Sequence, residues 1–224
     1  KVSKIFGPGN QFVTTAKMLV YGEVDIDMPA GPSEVEVIAD ETANPAWVAA
    51  DLLSQLEHGA DSQALLMTFS ESFAKAVIRQ MREQMSGLSR KTIIAESFAK
   101  SFAVVVDSVG EACEMTNEYA PEHLEIVAKS ESEILRKIKN VGSVFLGKYT
   151  SEPLGDYATG ANHTLPTSGF AKMFSPLSTD SFGKMIQVQK VLRKGIQNLR
   201  KTVEILAAAE GLDAHKNAIT LRFL

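Results

Sequence analysis

Phe102-Ala103-Val104-Val105-Val106 is the most strand-like run of the sequence, and the residues after it alternate between two periodicities. Residues 109–118 read as a helix, Leu124-Glu125-Ile126-Val127 as a strand, 132–139 as a helix and Val144-Phe145-Leu146 as a strand. Short apolar strands alternating with helices are the pattern of βαβ units, which predicts an α/β layer on a largely parallel sheet. The same alternation extends upstream. Val35, Val37 and Ile38 mark a strand, and Asn44-Pro45 opens a helix with Asn as N-cap and Pro in the first turn. That helix is expected to run to about His58 and stop at Gly59. Residues 64–67 read as a buried strand and 71–85 as an amphipathic helix. Before them, Gly7-Pro8-Gly9-Asn10 is a loop, and residues 11–21 form a helix with Phe12, Ala16, Leu19 and Val20 on one side.

After Gly147 the composition shifts. Residues 151–178 are rich in Gly, Pro, Ser and Thr and read as a long ordered loop, a kind of segment that is usually functional in a compact protein. Helices are expected over 180–191, 196–210 and 213–222, with Gly211 as a C-cap and Asp213 as the last N-cap.

The chain has 224 residues, 45% hydrophobic and 22% charged, enough to bury a core. Its net charge is -4 with the two signs interspersed. No basic stripe could neutralise a phosphate backbone, which argues against nucleic acid as a partner. The apolar runs are too short to span a bilayer, and no signal-peptide pattern opens the chain. A single cysteine, Cys113, excludes an intrachain disulfide and reads as a core residue without chemistry. A cytoplasmic setting is expected. The opening Lys1-Val2-Ser3, without an initiator Met, reads like the interior of a longer protein.

The histidines hold the candidate chemistry. Gln55 and His58 lie three apart near a helix end and share a face. Gln is an uncommon zinc ligand, and from the spacing alone a solvated polar face is the favoured reading. Pro121-Glu122-His123 sits between a helix and a strand, where a carboxylate beside an imidazole can do acid–base work; a turn with two exposed polar residues is the competing reading. Asp156 and His163 fall in the long loop, where Asp156 offers a hard oxygen ligand or a local backbone cap. His215 sits in the first turn of the last helix, whose dipole favours the neutral, metal-binding ring; an ordinary surface histidine is the competing reading. No G-x-G-x-x-G is present. The residues alone therefore point to an α/β protein with a plausible mononuclear metal site and no visible nicotinamide cradle.

Several motifs, in order, resemble the histidinol dehydrogenase family. They are Lys4-Ile5-Phe6-Gly7-Pro8-Gly9-Asn10, Ile26-Asp27-Met28-Pro29-Ala30-Gly31-Pro32-Ser33-Glu34-Val35, Asp51-Leu52-Leu53-Ser54-Gln55-Leu56-Glu57-His58, Ala120-Pro121-Glu122-His123-Leu124 and Gly142-Ser143-Val144-Phe145-Leu146-Gly147. Downstream come Gly155-Asp156-Tyr157, Asn162-His163-Thr164-Leu165-Pro166-Thr167, Ala209-Glu210 and Ala214-His215-Lys216-Asn217. The resemblance implies a zinc-dependent, NAD-linked oxidation of L-histidinol to L-histidine through the aldehyde. It implies zinc ligands Gln55, His58, Asp156 and His215, a catalytic pair Glu122 and His123, and an NAD contact at Asn10. Substrate contacts would come from Ser33, Gln55, His58, His123, Asp156, His163, Glu210 and His215. The implied fold is an incomplete Rossmann-like layered sheet with a C-terminal helical segment. Residues 1–32 would be a remnant of a second, NAD-side α/β domain, 33–177 the α/β domain with the zinc and catalytic motifs, and 178–224 a helical segment that dimerises and reaches the partner's site. Two other readings compete: a partial fragment serving only as a structural or dimerisation unit, and a zinc hydrolase.

Overall fold

The structure is a computed structural model describing residues 1–224. Two compact units are present, Lys1–Gly183 and Lys184–Leu224.

In the larger unit, β1 (Lys4–Ile5) and β2 (Asp25–Ile26) pair in parallel, joined through helix α1 (Gln11–Val20). The main sheet follows. Its elements are β3 (Glu34–Ala39), α2 (Pro45–Leu56), β4 (Gln63–Thr68), α3 (Glu71–Met85), α4 (Lys91–Phe98), β5 (Phe102–Val105), α5 (Val109–Tyr119), β6 (His123–Val127), α6 (Glu131–Lys137) and β7 (Ser143–Leu146). All five strands are parallel, in the order β5-β4-β3-β6-β7. The chain thus winds outward from β3 to β5, then returns beyond β3 to lay down β6 and β7, which is the Rossmann-like order. Alternation along the strands feeds two cores. Val35, Val37 and Ala39 pack with α2, α3 and α4, while Ile38, Met67 and Ile126 pack with α5 and α6. Cys113 is buried in the second core.

The helix starts follow their caps. Asn44 accepts from the Ala46 N–H ahead of Pro45, and Ser70 and Ser108 cap α3 and α5 in the same way. Helix α4, absent from the sequence reading, has no side-chain cap, so no local signal announced it. The run 102–106 supplies the edge strand β5, and Phe102 and Val105 stay exposed because an edge strand has a neighbour on one side only.

Three expectations after Gly147 need correction. Residues 151–178 are not all loop: helix α7 (Glu152–Tyr157) starts with Pro153 in its first turn, and a 3-10 turn covers Phe170–Lys172. The helix expected over 180–191 is only a 3-10 turn at Thr179–Phe182, ended by Gly183, and 184–191 are exposed without regular structure. Asp213 does not cap the last helix; it is its first residue, after Leu212.

The smaller unit holds α8 (Arg193–Ala209) and α9 (Asp213–Thr220), with Gly211 left-handed between them at φ 71°. Glu204 on α8 takes both the Arg200 guanidinium and the Thr220 hydroxyl, which ties the two helices. Met185, Ile186, Val188, Leu192, Leu199 and Leu206 are exposed. No helix of the chain is long and apolar enough to cross a membrane.

Glu36 is an acid inside the sheet. It is fully buried on β3, accepts from the Thr116 hydroxyl through Oε1, and leaves Oε2 without a partner. Burial pushes its carboxyl up to about 7, against the lowering effect of Thr116. Below pH 4.5 the group is neutral folded and unfolded. Between there and 7 only the unfolded chain releases the proton, so stability falls as pH rises, and above 7 the loss is complete. Glu36→Gln, an isostere of the neutral acid, should remove a loss of roughly 3 kcal/mol between pH 5 and 8. Urea unfolding of both proteins at the two pH values measures this; parallel pH dependences would contradict it.

Candidate active site and metal-type donor group

Register places the site. Val35 on β3 lies opposite His123 on β6, which lies opposite Ser143 on β7, so the amino ends of three strands are aligned. Helix α2 runs back from the carboxyl end of β3, which returns Gln55 and His58 to that same edge. A cleft of about 330 Å³ opens there, lined by Ser33, Gln55, His58, Glu122, His123 and Glu152 and continuing over Asp156 and His163. A smaller apolar cavity of about 180 Å³ beside β5 has Arg82 and Ser101 as its polar groups and no acid–base pair.

Glu122 and His123 are placed by a sharp turn. Helix α5 ends on Ala120 in the left-handed region (φ 54°), with its N–H on the Thr116 carbonyl, and Pro121 leads into β6. The start of β7 then clamps the turn: the Gly142 N–H donates to the Pro121 carbonyl and the Ser143 N–H to that of Glu122. A Cβ on Gly142 would stand 2.5 Å from the Glu122 carbonyl oxygen. Gly142→Ala should therefore cost about 1–3 kcal/mol by forcing that peptide aside. Thermal and urea unfolding test this, and unaltered stability would contradict the close approach.

The pair is buried, and the backbone of Glu34 fixes its polarity. The Glu34 N–H donates to Glu122 Oε2 at 2.9 Å. His123 Nδ1 lies 3.1 Å from the Glu34 carbonyl, an acceptor only, so Nδ1 carries the proton and Nε2 keeps its lone pair. Nδ1 is also 3.6 Å from Glu122 Oε2. Burial pulls the His123 imidazole down to about 4, opposed by the bond to Glu34, so the ring is neutral near pH 7. Burial pushes the Glu122 carboxyl up to about 8, with the Glu34 N–H opposing and the charges of Glu34, Glu152 and Asp156 reinforcing it. Two groups whose affinities for protons are driven apart by one environment suit acid–base work.

Beside the pair lies a group of metal-type donors. One ligand atom each from His58, Glu152 and Asp156 falls within 4.8 Å of the others. Helix α7 presents Glu152 and Asp156 four apart on one face, and its first residue is held by a 2.7 Å bond from the Glu152 N–H to Glu125 Oε1. Burial pushes Glu152 up to about 8, with Asp156 next in effect. A carboxyl whose ionisation is opposed in this way gains from a cation beside it. Gln55 supplies the sharper observation. It is 1% exposed, and neither Oε1 nor Nε2 has a hydrogen-bond partner. A solvated polar face is thereby excluded for Gln55, and a buried amide left unpaired costs about 1–3 kcal/mol unless something else engages it. The donor set fits a zinc ion, which accepts imidazole nitrogen and carboxylate oxygen.

The cleft thus gathers Ser33, Gln55, His58, Glu122, His123, Asp156 and His163 of the residues singled out in the sequence. Asn10 is not in it: its Oδ1 caps α1 through the Phe12 and Val13 N–H groups. Glu210, which ends α8, and His215, in the first turn of α9, are exposed residues of the smaller unit. Glu152 and Glu34 went unnoticed. The signal for Glu152 is its spacing of four from Asp156, which the Gly, Pro, Ser and Thr content of 151–178 masks.

Fold and site together define an α/β protein with a Rossmann-like sheet and an acid–base pair beside metal-type donors. The family model described as histidinol dehydrogenase matches residues 1–223. The histidinol dehydrogenase of Bacteroides fragilis is 55% identical over 223 residues, 99% of this chain and 52% of that protein, and that of Campylobacter jejuni is 50% identical over 99% of this chain. The crystal structure of histidinol dehydrogenase from Elizabethkingia anophelis superimposes with a TM-score of 0.96 at 51% identity, covering all of this chain and 52% of that one. The chain belongs to the histidinol dehydrogenase family. It spans about half the length of the curated relatives it matches.

Proposed function

We propose that this chain carries the zinc- and substrate-binding face and the acid–base pair of an NAD-dependent histidinol dehydrogenase, which oxidises L-histidinol to L-histidine in two steps. The observation that carries the reading is the opening of His123 and Glu122 onto the same cleft as Gln55, His58 and Asp156.

Gln55, His58 and Asp156 would hold the zinc, with His215 of a partner subunit as a further ligand; Glu152 lies beside them, its carboxylate within 4.8 Å of the donor atoms of His58 and Asp156. A bound zinc supplies Lewis acidity and a grip on the nitrogen donors of the substrate. His123 accepts the alcohol proton at Nε2 while Glu34 holds Nδ1, and the ring stays oriented because it is buried beside Phe145. Glu122, once ionised toward pH 8, takes a proton from the water that attacks the aldehyde, and burial makes its carboxylate a stronger base than a solvated one. Ser33 and His163 would contact the substrate. For NAD this chain offers Asn10, whose Oδ1 is already engaged as an N-cap, and no glycine-rich phosphate cradle; the bulk of that site is assigned to the rest of a protein of family length. Residues 1–32 then belong to the NAD-side domain. The exposed apolar side chains of the smaller unit support its use as a dimerisation segment that carries Glu210 and His215 to the partner's site.

In a protein of full family length, each L-histidinol should yield two NADH and one L-histidine, followed by absorbance and product analysis. Zinc-dependent amide hydrolysis without NADH would replace this reading with a hydrolase, and loss of both activities would leave a structural unit.

A further inference from the structure

Glu34 is used by the site through its backbone alone, which leaves its side chain to be explained. That side chain makes its hydrogen bond on another segment. Oε1 accepts from the Ser168 N–H at 3.0 Å, and Oε2 is buried without a partner. The residue is 9% exposed, in a neighbourhood that also holds Glu122, Glu36 and Tyr119. Burying a carboxyl among other acids is costly, and an apolar side chain would fill the space at lower cost. Burial pushes Glu34 up to about 7, against the opposing bonds of Ser168 and Glu122.

The partner of Glu34 is itself unusual. Ser168 occupies the left-handed region at φ 56°, a conformation that persists in a non-glycine residue only where the surroundings hold it. One residue earlier, the Thr167 hydroxyl accepts from the Gly31 N–H at 2.6 Å. Residues 163–168 are therefore stitched to residues 31–34 at two points. His163, Thr164, Leu165 and Thr167 of that segment line the cleft.

We propose that the Glu34 side chain is a positioning residue that ties the His163-bearing segment to the strand end holding Glu122 and His123, so that the substrate-facing loop and the acid–base pair keep one register. The two halves of Glu34 divide the work: the peptide sets the pair, the carboxyl sets the loop. The proposal rests on the reading of the cleft as a histidinol site. Because the peptide is common to every substitution, side-chain variants disturb the loop and spare the pair, which predicts an effect on KM larger than on kcat.

Two measurements test it. In this chain, hydrogen exchange of the segment around Ser168 should quicken at least about tenfold in Glu34→Ala and return to within about threefold of native in Glu34→Gln, whose amide oxygen can still accept. In a protein of full family length, Glu34→Ala should raise KM for L-histidinol about tenfold with kcat within about threefold, and Glu34→Gln should rescue it. Native exchange in Glu34→Ala, or equal impairment in both variants, overturns the proposal. If Glu34→Ala does not fold, the Ser168 amide shift decides: it should follow pH between 5 and 9 in the native chain and lose that response in Glu34→Gln, whereas an unchanged titration, set then by Glu122, Glu36 or Tyr119, overturns the tie. Exchange as expected in proteins that do not oxidise histidinol would uphold the tie and sink the functional reading instead.

Discussion

His123→Asn slows both oxidation steps by about a thousandfold in a protein of full family length, whereas Glu122→Gln slows aldehyde oxidation by a comparable factor and spares alcohol oxidation to within about tenfold. The scale is that of removing a positioned general acid or base. Glu122→Gln preserves volume and His123→Asn shortens the side chain, yet both keep the bond to Glu34: an Asn amide can donate to the carbonyl that His123 Nδ1 engages, and a Gln oxygen can accept from the N–H that Glu122 engages. What is lost is the basic lone pair on Nε2 in the first case and the carboxylate in the second. Water activation is needed only when the aldehyde is oxidised, so the two losses separate. Single-turnover assays starting from L-histidinol and from L-histidinal distinguish them, and equal, mild effects of both substitutions on both steps would remove the pair from the acid–base machinery.

Gln55→Met produces opposite signs in two measurements. Metal-free, the variant should be more stable than the native chain by about 1–2 kcal/mol, because an apolar side chain of similar volume replaces a buried amide with no partner. Its zinc affinity should fall at least about 100-fold, since a ligand is lost outright and even supporting residues of metal sites are worth tens of fold. Chemical unfolding in chelator and zinc titration supply the two numbers. If stability falls and zinc affinity holds, Gln55 is an ordinary buried amide whose partner has been misassigned.

Much of the sheet could be read directly because its signals are local. Asn44-Pro45 announced α2 and the apolar clusters announced the strands, though β6 begins at His123, one residue before the expected Leu124. The failures share a cause. Met185, Ile186, Val188 and Val191 were read as part of a helix, yet with β-branched residues among them, Gly183 just before and no cap they form none. Helix α7 was lost in a segment judged by its Gly, Pro and Ser content, and Glu152 was lost with it. Within the site, the spacing of Gln55 and His58 left a solvated face open, and only the burial of the Gln55 amide closed that alternative. Glu34 was beyond reach, because its part depends on a left-handed Ser168 more than a hundred residues away in sequence. Asn10 matched a family motif, but the local cap it forms is invisible to motif matching.

The central claim is that the amino edge of β3 and β6 holds a metal-assisted acid–base site. A crystal structure of the protein with zinc, with anomalous scattering recorded at the zinc edge, addresses it directly. One zinc peak is expected within ligand distance of Gln55 Oε1, a His58 ring nitrogen and an Asp156 carboxylate oxygen, with His123 Nε2 facing the same cleft. A zinc bound elsewhere, with the Gln55 amide still unengaged, would contradict it.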